Sequence, residues 1–257
     1  MKLKHLAIAA LAVSAMGSAM AQGVTSSAST ATLLIAIGDG SHSYTFDTGV
    51  SLASIENGTA NYSAILPNWA SFNFGATTPF DPASQTGVEW GALGATATPA
   101  NQISFASLMI SGTQDALNDG TLSTQYKNLG LKNDSQRMLS LAGGPTSPLE
   151  AASGTSVNAG TPAYLSTGYF NLGYGAGNQA QALSAGVDTL GLYLITPTGS
   201  NNNTFATLTQ ETSLVTLNTS TGQLTISAAA AVPEPSSYAL AIAGLAWVCF
   251  IVRRRRA

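Results

Sequence analysis

The sequence predicts a mainly β protein. It reads as a single β-sandwich of jelly-roll type with a short helical excursion, set between an N-terminal signal peptide and a C-terminal transmembrane helix. Three observations carry this reading. Apolar residues alternate with polar ones in several short runs, the period of a strand with one buried face. Clusters of Gly, Asn, Asp and Thr punctuate those runs. The stretch between the two ends, residues 22–231, is long enough for one domain with a sizeable core.

The chain opens "MKLKHLAIAALAVSAMGSAMA". Lys2 and Lys4 give a positive start, Leu6 to Ala15 is apolar apart from Ser14, and Ala19-Met20-Ala21 ends it with small side chains. This is the layout of a secretory signal peptide over 1–21. Ala19 and Ala21 suit the shallow pockets of signal peptidase, so cleavage is expected after Ala21, leaving Gln22 first.

The strands follow. Leu33, Ile35 and Ile37 share one face of "TLLIAIGDG", and Gly38-Asp39-Gly40 turns the chain. Phe72 and Phe74 alternate in "SFNFG". Ile103, Phe105, Ser107 and Met109 line "QISFASLMISG", and Leu190, Leu192 and Leu194 line "TLGLYLITPTG". The stretch "GYFNLGYGAGNQ", with Tyr169, Phe170 and Tyr174, reads as a strand and loop with aromatic packing. "TSLVTLNTSTGQLTISA" predicts a hairpin with arms Ser213 to Asn218 and Gln223 to Ser227, turned by Thr219 to Gly222. Between the strands, "KNDSQRMLSLAGG" predicts a helix over Ser135 to Leu141, capped by Asp134, stopped by Gly143 and Gly144 and covering one end of the sandwich. The nearby Lys127, Lys132 and Arg137 read as a solvated face.

The chain closes "VPEPSSYALAIAGLAWVCFIVRRRRA". Tyr238 to Val252 carries no charge over 15 residues. That is about 22 Å of helix at about 1.5 Å per residue, against a hydrocarbon core of about 30 Å. Ser236 and Ser237 extend it on one side, and long arginine side chains snorkel on the other. A transmembrane helix is therefore expected at 238–252. Arg253, Arg254, Arg255 and Arg256 place its end in the cytoplasm, because basic flanks stay inside. Pro233 and Pro235 hold Val232 and Glu234 extended, the conformation a protease requires.

A Pro-Glu-Pro joint, an apolar helix and an arginine cluster, in that order over 232–257, resemble the PEP-CTERM sorting signal. The resemblance is confined to this tail. It implies processing by exosortase, an integral-membrane peptidase. It further implies a source among Gram-negative bacteria that export polysaccharide, a transient stay in the inner membrane, and delivery to the cell surface or extracellular matrix.

The exported domain is left with little chemistry. Its basic residues are Lys127, Lys132 and Arg137, against eleven acidic residues from Asp39 to Glu211, which argues against nucleic acid as a partner. The only cysteine, Cys249, lies in the tail, so no disulfide staples the domain. "LLIAIGDGSHS" is close to the nucleophile block of GDSL-type hydrolases, but Gly40 displaces Ser41 by one place. His42, the only histidine after signal cleavage, lacks the separate position a triad base needs. One histidine and no exported cysteine do not make a zinc site. Asp39, Asp47, Asp81, Asp115, Asp119 and Asp188 offer oxygen to calcium, but without the spacing of a binding loop. No catalytic residue, metal site or cofactor is assigned. Asp81, Glu89, Glu150 and Glu211 are unpaired by spacing, and Trp69 and Trp90 read as core residues before sugar platforms. Two functions stay open. One is a non-enzymatic structural or adhesive protein of the envelope and matrix, associated with exopolysaccharide, biofilm or matrix proteins. The other is a secreted carboxylate-based glycosidase or polysaccharide-acting enzyme.

Overall fold

The computed structural model describes residues 24–25, 27, 30–69, 87–97, 106–117, 125–143, 148–162 and 181–228. The signal peptide and the tail predicted at 1–21 and 232–257 lie outside them. So do Phe72, Phe74, Ile103, Phe105 and the stretch holding Tyr169, Phe170 and Tyr174. Among the described residues no helix is long and apolar enough to cross a membrane.

The described chain is mainly β. Its strands are β1 (Val24–Thr25), β2 (Thr32–Gly38), β3 (His42–Ser51), β4 (Asn61–Ile65), β5 (Glu89–Thr96), β6 (Ser107–Gly112), β7 (Thr155–Asn158), β8 (Gln181–Ala182), β9 (Val187–Thr196), β10 (Thr207–Asn218) and β11 (Gln223–Ala228). Its helices are α1 (Leu52–Glu56), α2 (Asn128–Ala142) and α3 (Pro148–Ala151).

The expected two-sheet sandwich is instead one continuous sheet, in the order β4-β11-β10-β9-β6-β5-β2-β3-β7. Every pair on this path is antiparallel, and β1 adds to β5 in parallel. The sheet curls until its ends touch. Tyr44 on β3 donates its hydroxyl hydrogen to the Pro67 carbonyl just past β4 (3.0 Å), and Asn68 Nδ2 donates to the Gly154 carbonyl ahead of β7 (2.9 Å). Burial, then the neighbouring Tyr62, pushes the Tyr44 phenol well above its ordinary pKa, so this seam donor keeps its proton. Alternation reveals which face a side chain takes. It does not reveal whether the partner face belongs to a second sheet or to the far end of the same one.

Over β2, β5 and β6 both faces are covered. The inner core gathers Leu33, Ile35, Ile37, Trp90, Met109, Leu190, Leu192, Val215, Leu217, Leu224 and Ile226 from strands along the whole curl. Helix α1 closes it with Leu52 and Ile55. Ser51 caps α1, accepting from the Ser54 N–H at 3.2 Å. Gly94 leaves room for it, since a Cβ there would lie 2.7 Å from Leu52 Cδ2. The outer core joins Leu34, Ala36, Leu93, Leu108, Ile110 and Ile195 to Leu131, Met138 and Ala142 of α2. The interior strand β2, between β5 and β3, is accordingly buried along its whole length.

The helical excursion is real but begins earlier than expected. Lys127 occupies the N-cap without a side-chain bond. The first amides find carbonyls far along the chain instead, Asn128 N–H to Thr204 O (2.9 Å) and Leu129 N–H to Asn202 O (3.0 Å). Asp134 is therefore no cap. It is a buried mid-helix residue whose carboxylate accepts from Tyr126 Oη at 2.5 Å. The hairpin lies where expected: Asn218 pairs with Gln223 and Ser213 with Ala228 across the turn. Asn218 holds that turn, its Oδ1 accepting from the Ser220 and Thr221 amides.

Candidate functional site

Strand β5 changes partner along its length. Leu93 to Thr96 pair with β6, while Glu89 and Trp90 pair with the two-residue β8. Between them the Ala92 N–H donates to Ser111 Oγ at 2.8 Å, a side chain standing in for a ladder carbonyl. Strand β6 leaves the ladder at Gly112, opposite Gly191 on β9. Tyr193 pins the departing chain: its hydroxyl donates to Thr113 O (2.7 Å) and accepts from the Ala116 N–H (2.9 Å). Gly191 permits the crossing, because a Cβ there would lie 3.0 Å from Thr113 O.

This exchange of strands opens a cavity of about 250 Å³ lined by Trp90, Thr113, Gln114, Gln181, Ala182, Asp188, Thr189 and Leu190. The lining is polar and almost neutral, with Asp188 its one ionisable side chain among the described residues. Asp188 Oδ2 accepts from the Ser184 N–H at 2.6 Å, which fixes the carboxylate. Trp90 is fully buried, and among the described residues its Nε1 has no hydrogen-bond partner. An unmatched buried donor costs about 1–3 kcal/mol. Its burial rules out an exposed stacking face, in line with the expectation of a core residue. Trp69 is also core: it is 6 % exposed, with its Nε1 donating to Thr219 O at 3.0 Å.

The block "GDGSH" forms the β2–β3 turn. Asp39 Oδ1 accepts from the Ser41 and His42 amides (2.8 and 2.7 Å), and Oδ2 lies 3.2 Å from His42 Nδ1. The carboxylate is thus turned onto its own loop, with Gly40 at φ 85° completing the bend. Of the other acids, Glu89 begins β5, Glu211 lies on β10, and Asp81 and Asp119 fall outside the described residues. Among the described residues no three His, Cys, Asp or Glu side chains group to hold a metal.

One acidic pair escapes sequence spacing. Glu56 ends α1, and Glu211 sits in the irregular stretch of β10 between Gln210 and Leu214. Partial burial raises both carboxyl pKa values, and the Glu56 charge raises that of Glu211 further. The two are 155 positions apart in sequence numbering, so only the curl of the sheet brings α1 to β10. Neither lines the cavity.

The remaining sequence-predicted residues, Ala19, Ala21, Pro233, Glu234, Pro235 and Arg253 to Arg256, lie outside the described residues. Comparison with protein families matches residues 231–256 to the PEP-CTERM protein-sorting motif. The match encloses the Pro-Glu-Pro joint and all four terminal arginines. It marks an exported, extracellular protein with exosortase as its processing partner. No curated protein and no solved structure matches the chain.

Proposed function

We propose that the chain is a non-enzymatic structural or adhesive component of the cell surface or extracellular matrix, associated with exopolysaccharide or biofilm and handed there by exosortase. Signal peptidase cuts after Ala21. The helix at 238–252 holds the chain briefly in the inner membrane, with Arg253 to Arg256 inside. Exosortase then cuts at the Pro233-Glu234-Pro235 joint and frees the domain of residues 22–231.

The observation that carries this reading is the sorting motif over 231–256. The outward face of the β10–β11–β4 region supports the adhesive role. Thr216, Thr225 and Ser63 form one cross-strand row there, flanked by the row of Asn218, Gln223 and Ile65. These rows carry no charge, and their hydroxyls and amides suit contact with neutral, hydroxyl-rich polymers.

The test is fractionation with intact-mass measurement. Wild type leaves the inner membrane without its arginines, while Glu234→Ala stays full-length in it. Equal release of both refutes sorting at the joint. A second reading, a carboxylate glycosidase, draws on the Glu56 and Glu211 pair. It requires hydrolysis of exported polysaccharide that is lost in both Glu56→Gln and Glu211→Gln.

A further inference from the structure

Among the described residues one buried side-chain donor is unmatched, the indole N–H of Trp90, a residue that lines the cavity between β5, β6 and β9. We propose that this cavity binds one unit of a neutral saccharide, whose oxygen accepts that N–H. The choice of saccharide as ligand class rests on the matrix reading above. The cavity and its unmatched donor do not.

The lining selects the chemistry. Thr113, Gln114, Gln181 and Thr189 supply neutral donors and acceptors, which match hydroxyls. Leu190 offers an apolar patch to a C–H face. Asp188, fixed by the Ser184 amide, accepts from sugar hydroxyls and repels an anionic sugar. A volume of about 250 Å³ suits a single ring rather than an oligomer.

Access runs through β8. This strand is two residues long and, among the described residues, pairs only with Glu89 and Trp90, with one further bond from the Leu183 N–H to Val88 O (2.9 Å). So short an element is the part of the rim that opens at least cost. The sugar parts β8 from β5 at Trp90 to reach the indole, while Gln181 stays in contact at the rim.

The experiment is ¹⁹F NMR of full-length protein labelled with 5-fluorotryptophan. Trp69, Trp90 and Trp247 give three resonances, assigned with a Trp90→Phe variant. Glucose, galactose and N-acetylglucosamine are titrated, with glucuronate as the anionic counterpart. At least one neutral sugar shifts the Trp90 resonance saturably and leaves Trp69 in place. Glucuronate binds at least about tenfold more weakly, and Asp188→Asn narrows that gap. Gln181→Ala, a rim change that leaves the core intact, weakens the neutral sugar.

A Trp90 resonance unmoved by all three neutral sugars overturns the proposal. So does a shift shared equally by Trp69, or glucuronate binding as tightly as the neutral sugars. The readout is independent of sorting. A Trp90 response in a protein whose tail is never cut leaves the site standing and refutes the delivery reading, and the converse result separates them the other way.

Discussion

Replacing Gly222 with alanine tests how the curled sheet is fastened. Gly222 ends the β10–β11 turn at φ 72°, where its N–H donates to Asn218 O at 2.7 Å. Its carbonyl accepts from the Leu66 N–H at 2.9 Å, tying the turn to the loop after β4. A Cβ built on it would fall 2.2 Å from Trp69 Cγ and 2.7 Å from Trp69 Cβ, so the indole rests directly on the glycine. Alanine meets two penalties. The left-handed backbone costs about 1–2 kcal/mol, and overpacking costs about 1–3 kcal/mol. Together that is about 2–5 kcal/mol, or on the order of 4–20 °C in Tm for a domain of this size. Gly199→Ala is the control: its φ is 69°, but nothing lies within 4 Å of the added Cβ, so only the backbone term applies. Urea denaturation of both variants isolates the Trp69 contact as their difference. In a Trp69→Ala background the difference should vanish. Equal destabilisation of Gly222→Ala and Gly199→Ala in the parent protein refutes the idea that Trp69 clamps this turn.

Two further predictions concern α2 and its supports. Burial raises the Asp134 pKa, although the Tyr126 hydrogen bond and the Arg137 charge oppose it. A folded pKa above the unfolded value of about 3.9 means the native state holds the proton longer, so stability falls as pH rises through the folded pKa. Asp134→Asn, which still accepts from Tyr126, should flatten that fall, and thermal melts across the acid range check it against an unchanged slope. Glu56 and Glu211 contribute with the same sign and remain in the variant. Buried Asn128 donates to Thr198 O and Asn201 O (3.0 and 2.9 Å) and accepts from the Thr198 N–H (3.2 Å). Asn128→Ala should destabilise by about 1–3 kcal/mol in urea, and a loss below about 0.5 kcal/mol would show that water replaces these bonds readily.

What the sequence makes legible is what is decided locally. The hairpin at 213–228 follows from alternation and from Asn218, whose side chain organises its own turn. Leu33, Ile35 and Ile37 fall on one core face as their spacing requires. Leu34 and Ala36 are equally buried on the other face, and no spacing announces that α2 will cover them. The start of α2 escapes local patterning because its first amides bond carbonyls at 202 and 204, more than seventy positions away. The cavity is non-local in the same sense. It exists because β8 takes the place on β5 that β6 vacates. The Glu56 and Glu211 pair likewise needs the curl. The tail is the opposite case: a sorting enzyme reads a linear segment, so composition and order alone identify it.

The junction between fold and tail carries a last consequence. Strand β11 ends at Ala228, which is paired with Ser213, and β11 lies between β10 and β4. A strand with ladder bonds on both sides does not peel away to lend slack, as an edge strand would. The distance from the domain to the sorting joint is therefore set by the few residues from Ala228 to Pro233. Fully extended at about 3.3–3.6 Å per residue, that segment spans about 17 Å. Deleting 229–231 leaves two steps, about 7 Å, and on the proposed route brings the sheet against the membrane surface. Such a deletion should block cutting while leaving the fold and the proposed anchor at 238–252 intact, so full-length protein accumulates in the inner membrane. Replacing 229–231 with Gly-Ser-Gly keeps the length and should be processed like wild type. If the deletion is released as efficiently as the replacement, exosortase does not need the joint to stand clear of the domain. The tail would then act without regard to the fold that precedes it.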